Sequence, residues 1–318
     1  MSETLRCLLI IFGVLAALLS ISAGLIWLER RLLALFQERY GPNRLGPFGL
    51  IQPLADMVKI LTKEDWVPPA ADAPVFVIAP CVVVIATFAS FAVAPFAPGI
   101  VVADLNVGLL FFLAMSSLAV YGVALGGWAS NNKYSLLGSI RAAGQMLSYE
   151  VFMGLSLMGV VALAGSFSLG DIIGAQKGLW FCVKQPVGLA VFLVAGLAEA
   201  RRLPFDLPEA ENELVAGFHT EYSGMKFAMF FLGEYVGVTM ISALTVALFF
   251  GGWRGPWLPP LLWFFLKTMG LVCLIILVRG SLPRPRYDQL MALGWKVMLP
   301  LALLNLLATG AVVVAEST

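Results

Sequence analysis

Charge is scarce in this chain: aspartate, glutamate, lysine and arginine together make up 12% of its 318 residues. A soluble globular domain carries about a quarter. With hydrophobic residues at 60% and a mean hydropathy of +0.92, a soluble domain is excluded and a polytopic membrane protein is implied. The four cysteines, Cys7, Cys81, Cys182 and Cys273, stand singly with no C-x-x-C pair, so an iron–sulfur cluster or zinc site lacks its ligands. They read as small core residues. His219 is the only histidine, which excludes a bis-histidine haem within the chain, and the absence of any G-x-G removes the dinucleotide-binding fingerprint. Net charge is +1 and no basic run is interleaved with aromatics, so nucleic acid is not an expected partner. No metal is expected either, and any redox cofactor that matters lies elsewhere.

What the chain does have is apolar runs long enough to cross about 30 Å of hydrocarbon. They lie at 7–28, 75–96, 107–128, 147–167, 180–198, 227–250, 258–278 and 291–313, which predicts an all-α polytopic membrane protein with about eight transmembrane helices. The first run is long, is followed by Glu29, Arg30 and Arg31 and has no small-residue cleavage site, so it reads as a retained helix. The expected organisation is a single transmembrane domain, 1–318, with notable loops at 29–74, 129–146, 199–226 and 279–290. Fourteen lysines and arginines fall in the first, third, fifth and seventh connections and four on the other side. That bias puts the long loops in the cytoplasm and both termini outside, on the periplasmic side. Lys267 belongs to neither set; near the middle of the seventh run, it fits either a buried ion pair or a proton-path charge.

Carboxylates gather at one membrane boundary. Glu199, Asp206, Glu209, Glu211, Glu213 and Glu221 face only Arg201 and Arg202 there, and Glu234 lies within the next apolar run. Desolvation raises the pKa of such acids and lets them hold protons. Glu209 and Glu213, at i and i+4, would share one helix face and titrate as a coupled pair. The plainer reading is a solvated loop or docking surface. It does not extend to Glu234, eight residues beyond Lys226 and so about 12 Å along the helix, too deep to snorkel easily. Glu234 is expected to be neutral part of the time or held by a cation such as Lys267, with Glu213 as its upstream neighbour. Glu150 stands at the start of the fourth run. His219 reads as a hydrogen-bonded loop residue, and Arg279, Arg284 and Arg286 as topology anchors with lipid or subunit contacts.

In the first connection, Leu50, Leu54, Met57, Val58 and Leu61 recur at helical spacing while Gln52, Asp56, Lys59 and Lys63 take the opposite face. The pattern predicts an amphipathic cytoplasmic-side helix over 49–63. Two uses fit it: anchoring at the bilayer surface, or walling a cavity between lipid and a soluble partner. No internal inverted repeat of the kind that marks many secondary transporters is present.

Four segments carry a family resemblance: ERRLLALFQERYGPNRLGPFGLIQPLADMVKILTKEDW, SNNKYSLLGSIRAAGQMLSYEV, RLPFDLPEAENELVAGFHTEYSGMKFAMFFLGEY and SLPRPRYDQLM. They resemble the H subunits of bacterial NADH-quinone oxidoreductase, respiratory complex I, whose mitochondrial counterpart is NADH dehydrogenase subunit 1. The resemblance runs through nearly the whole chain in order. It implies a membrane-arm component of a proton-pumping translocase in the bacterial inner membrane, with no redox centre of its own. Such a component contributes to enclosing a quinone chamber, ubiquinone being the expected quinone, and begins the proton-coupling path. FMN and iron–sulfur clusters are expected in partner subunits. The expected partners are other membrane-arm and hydrophilic-arm subunits and the lipid bilayer. The resemblance makes the amphipathic helix a cavity wall. It names Trp27, Glu29, Arg30, Gln37, Arg39, Asp56 and Lys59 as chamber and entrance residues, and Glu150, Glu199, Asp206, Glu209, Glu211, Glu213, Glu221 and Glu234 as proton-coupling carboxylates. The chain departs from the family at Arg201, where an asparagine often precedes the arginine. The alternatives are the equivalent anchor subunit of a membrane-bound hydrogenase or formate hydrogenlyase, and a stand-alone proton or cation carrier.

Overall fold

The structure is a computed structural model that describes residues 3–209 and 211–317. Among the described residues seven helices are long and apolar enough to cross a membrane. In chain order the elements are α1 (Glu3–Phe36), α2 (Gln52–Thr62), α3 (Ala73–Ser90), α4 (Gly108–Ala129), α5 (Lys133–Ala164), the short α6 (Leu169–Ala175) and α7 (Phe181–Lys184), and α8 (Pro186–Glu199). After these come α9 (Glu211–Leu214), α10 (Gly224–Phe249), α11 (Pro260–Ser281), α12 (Tyr287–Leu293) and α13 (Leu299–Ser317), the last two joined through one π-helical turn into a single span.

Local chemistry sets the ends of these helices. Asn132 caps α5 by accepting from the Tyr134 N–H at 2.9 Å, and Gly165, at φ 69, closes it in the left-handed conformation. Prolines open α8 and α11, where a missing N–H costs nothing. Helix α4 packs between α3 and α5, and α5 in turn packs on α8 and α13. The approach is close: a Cβ on Gly127 would collide with the Ser139 side chain. Helix α10 is the most enclosed of the spans, whereas α1 and the last span present most of their surface outward.

The fifth apolar run, expected as one span over 180–198, is broken near its start. Pro186 and Gln185 break it, and the 14-residue α8 rises only about 21 Å. Lys184, Gln185 and Pro186 mark the break, but hydropathy averaged over the whole run hides it. The break is buried in protein: Asn305 donates to Gln185 Oε1 at 2.7 Å and Gln185 donates to Thr309. Irregular backbone is tolerated in a membrane where protein satisfies it; here the Gln185 N–H donates to the Phe181 carbonyl at 2.7 Å and the Gln185 carbonyl accepts from the Leu189 N–H at 2.9 Å.

Lys267 differs from expectation as well. Its ammonium binds the carbonyls of Phe250, Gly252 and Arg254 at 2.7, 3.1 and 2.6 Å, with the Trp180 and Trp263 ring centroids 4.5 and 5.6 Å away. All three of its donors satisfy carbonyls just past the C-terminus of α10, the end of a helix that favours a cation. Among the described residues it pairs with no carboxylate.

The amphipathic helix is present as α2, led in by a turn at Pro47–Gly49. Leu54, Met57, Val58 and Leu61 are exposed, while Asp56 turns towards α1. This inverts the arrangement of a soluble amphipathic helix and leaves the apolar face for something other than this chain. Of the cysteines, Cys81, Cys182 and Cys273 are free and half-buried; the side chain of Cys7 lies outside what is described.

Candidate functional site

The segment after α8 folds inward. Gln145, fully buried in α5, donates through Nε2 to the carbonyls of Ala198 and Phe205, both at 2.8 Å, and so clamps both ends of the turn that carries Arg201 and Arg202. Farther along, Gly217 stands at φ 62 with its missing Cβ pointed straight at the Pro208 carbonyl, so only glycine fits there. That tight return places Phe218 beneath Arg201, whose Cζ lies 5.1 Å from the ring centroid.

At the centre is a buried ion cluster drawn from four elements. Arg202 donates from Nε to Glu234 of α10 at 2.7 Å and from Nη1 to both oxygens of Glu29 in α1, at 3.1 and 3.2 Å. Arg279 of α11 also pairs with Glu29. The Arg202 guanidinium lies 4.3 Å from the Tyr235 ring centroid. Two acids are thus matched by two guanidiniums, the condition for keeping charge away from water. The cation on Glu234 is therefore Arg202, and the expected Lys267–Glu234 pair is corrected.

Other acids surround this cluster. Asp206 accepts from Arg284 at 3.0 Å while its Oδ1 has no partner among the described residues. Burial, reinforced by the nearby Glu209, pushes the Asp206 carboxyl up to about 8, with Arg284 and Arg202 opposing. Glu209 goes the other way. Burial works to raise it, but the hydrogen bond from His219, 3.4 Å away, and the charges of His219, Arg201 and Arg202 together hold it below the usual carboxylate range. On the side of α4, Ser116 donates to Glu199 at 2.6 Å and Ser117 to Glu150. A cavity of about 60 Å³ lies among α3, α4, α8 and α10, lined by Glu199, Arg201 and Glu234 together with Ser116, Thr87 and Ser90.

The structure therefore draws Glu150, Glu199, Asp206, Glu209 and Glu234 around one interior region. Glu213 and Glu221 are placed differently. Glu213 is exposed and paired with Arg141 at 2.6 Å; Glu221 accepts from Asn132 at 2.6 Å. The expected Glu209–Glu213 pair on one helix face is corrected, because Glu209 precedes α9 and lies against His219, whereas Glu213 pairs with Arg141. For the same reason Glu213 is not the neighbour of Glu234. The side chain of Glu211 lies outside the described residues.

The candidate entrance residues divide between α1 and α2. Trp27 Nε1 donates to the Phe48 carbonyl at 3.0 Å, and Arg30 pairs with Asp56 at 2.7 Å, with Lys59 4.0 Å and Gln52 3.3 Å from the same carboxylate. Glu29, one residue before Arg30, turns instead into the buried cluster. Gln37 and Arg39 bond each other at the exposed end of the helix. Sequence reasoning missed Arg202, Arg279, Arg284 and Gln145 as site residues. The available signal was weak: three arginines at span boundaries look like topology anchors until their acids are found.

Comparison with known proteins gives consistent matches. The family model described as NADH dehydrogenase matches residues 9–310. The H subunit of NADH-quinone oxidoreductase from Methylococcus capsulatus is 61% identical over 304 residues, covering 95% of this chain and 96% of that protein. One of the numbered H subunits of Rhodopseudomonas palustris is 57% identical, covering 96% of each, and one from Geobacter metallireducens is 58% identical, covering 92% of each.

Proposed function

Because this chain belongs to the NADH dehydrogenase family, as a multi-pass membrane-arm subunit of the H type in NADH-quinone oxidoreductase, we propose that it walls part of the quinone chamber and passes charge changes there to the interior carboxylates. The observation that carries this reading is the guanidinium of Arg202, which binds Glu29 of α1 and Glu234 deep in α10 at once. Arg30, the next residue of α1, pairs with Asp56 of α2. A negative charge arriving beside α1 competes with Glu29 for Arg202 and Arg279. A guanidinium drawn towards it loosens its hold on Glu234, whose proton affinity then rises. Charge change at the entrance and proton uptake in the bundle thus share one group.

In this reading the substrate is a quinone, ubiquinone in the first instance, and FMN and iron–sulfur clusters reside in partner subunits. The exposed apolar face of α2 meets lipid or the hydrophilic arm, as suits a cavity wall. Both termini lie on the periplasmic side, supported by the charge bias between connections. Glu234→Gln tests the proposal. It keeps shape and hydrogen bonding but removes titration, so quinone reduction and proton pumping in membrane vesicles should fall together while NADH oxidation by a soluble artificial acceptor persists. Glu234→Asp should retain part of both. Full quinone-linked activity and pumping in the glutamine variant would make Glu234 a structural group.

A further inference from the structure

Arg201 has no place in the ion cluster just described. Arg202 directs Nε at Glu234 and Nη1 at Glu29 and leaves only Nη2 without a partner among the described residues, whereas Arg201, 6% exposed, leaves both Nε and Nη1 without one. Its backbone stands at φ 53, a left-handed conformation that a long side chain adopts only where its surroundings impose it. The fold therefore holds a strained residue in place and buries a cation with idle donors. Arg201 lines the cavity of about 60 Å³, as do Glu199 and Glu234. Glu199 Oε2 is also buried there with no partner among the described residues, while its Oε1 accepts from Ser116 at 2.6 Å. A water needs roughly 10–15 Å³ on this measure together with two to four polar partners. The cavity has room for several, and its donors and acceptors are complementary.

We infer that Arg201 is a positioning residue for proton transfer between Glu199 and Glu234, its Nε–H and Nη1–H holding water in this cavity. An arginine side chain offers donors and no acceptor. A water bound to it accepts from the guanidinium and from the protonated Oε2 of Glu199, and turns an O–H bond towards the Glu234 carboxylate. In the transfer the O–H bond at Glu199 Oε2 breaks as its proton joins the water, and a proton of that water passes to the Glu234 carboxylate. The water is regenerated, one proton has moved and no electron is exchanged. The inference rests on the coupling role of these acids proposed above.

The test uses the whole assembled complex with Arg201→Gln and Arg201→Lys, and Glu234→Gln alongside. Oxidation of NADH by an artificial acceptor gauges assembly; quinone-linked turnover and its solvent deuterium isotope effect report the transfer. Arg201→Gln should slow turnover by tenfold to a hundredfold in order of magnitude, as loss of positioning does. Its isotope effect should grow, and Arg201→Lys should recover part of the rate. Unchanged turnover and isotope effect in Arg201→Gln would overturn the inference, as would equal losses in both variants with an unchanged isotope effect. If the variants do not assemble, a map of the unmutated complex that resolves water decides: density within hydrogen-bond distance of both nitrogens is expected, and an empty cavity overturns the inference. Full quinone-linked activity in Glu234→Gln would remove the coupling reading itself, whereas loss there beside a normal Arg201→Gln removes this inference alone.

Discussion

Replacing Arg202 with glutamine should destabilise the assembled protein more than any other single change in the site. Arg202 reaches three carboxylate oxygens, at 3.1 and 3.2 Å on Glu29 and 2.7 Å on Glu234, with its side chain 6% exposed. Without it Glu29 keeps Arg279, but Glu234 loses its one direct ion pair. Breaking a buried pair by removing one partner costs about 3–5 kcal/mol. At about 1.4 kcal/mol per tenfold, that is two to three and a half powers of ten in the folding equilibrium. Arg202→Lys keeps the charge but not the fork that serves two carboxylates at once, and should fall between. Arg202→Gln combined with Glu234→Gln removes the orphaned charge as well as its partner. It should therefore be more stable than the sum of the single losses allows, by about 0.5–3 kcal/mol. The assay is thermal inactivation of the complex in membranes, with NADH oxidation by an artificial acceptor as the measure of intact assembly. A single Arg202→Gln variant as stable as the parent, or strictly additive losses in the double variant, would refute the claim that this cluster is energetically coupled.

Other outcomes follow from the same geometry. Asp206, raised to about 8 from an ordinary value of 3.8, binds its proton more tightly folded than unfolded. Its contribution to stability is thus complete below about pH 4 and is lost as pH rises towards 8; Asp206→Asn should flatten that decline in a pH series of inactivation rates, and an unaltered slope would count against it. Asp56→Ala, which strips Arg30, Lys59 and Gln52 of a shared acceptor, should weaken quinone reductase activity more than Arg39→Ala, which loses only Gln37. Equal loss of artificial-acceptor activity in the Asp56 variant would instead signal failed assembly. A reporter fused within 129–145 should read as cytoplasmic and one at the C-terminus as periplasmic; the opposite pattern would defeat the charge-bias argument.

Much of this architecture was legible because a membrane span announces itself within some 20 consecutive residues. The helix α2 was legible for the same reason: a period of 3.6 needs only its own sequence, and Leu54, Met57, Val58 and Leu61 supplied it. The way it faces was not, since its surroundings come from α1 and from outside the chain. The short α8 stayed hidden because Lys184, Gln185 and Pro186 are too few to lower the average hydropathy of an otherwise apolar run. Lys267 looked like a partner for Glu234 when depth was judged by counting along a helix, but a flexible side chain reaches the carbonyls just past the end of α10. The acids could be found by their density in the sequence. Their cations could not, because Arg202, Arg279 and Arg284 are paired across distances that no local pattern encodes.

Those distances also bear on how the protein is made. Glu29 is synthesised 173 residues before Arg202 and 250 before Arg279. While the first helices enter the bilayer its carboxylate has neither guanidinium, so it must wait hydrated or protonated at the membrane boundary. The fold can lock around Glu29 only when the seventh long connection has left the ribosome. A chain that stops before α11 never receives Arg279, and its first helix keeps an acid half matched at the protein interior. An unfinished chain thus carries an uncompensated charge where the finished one has a closed cluster, a distinction that membrane quality control can act on before any partner binds.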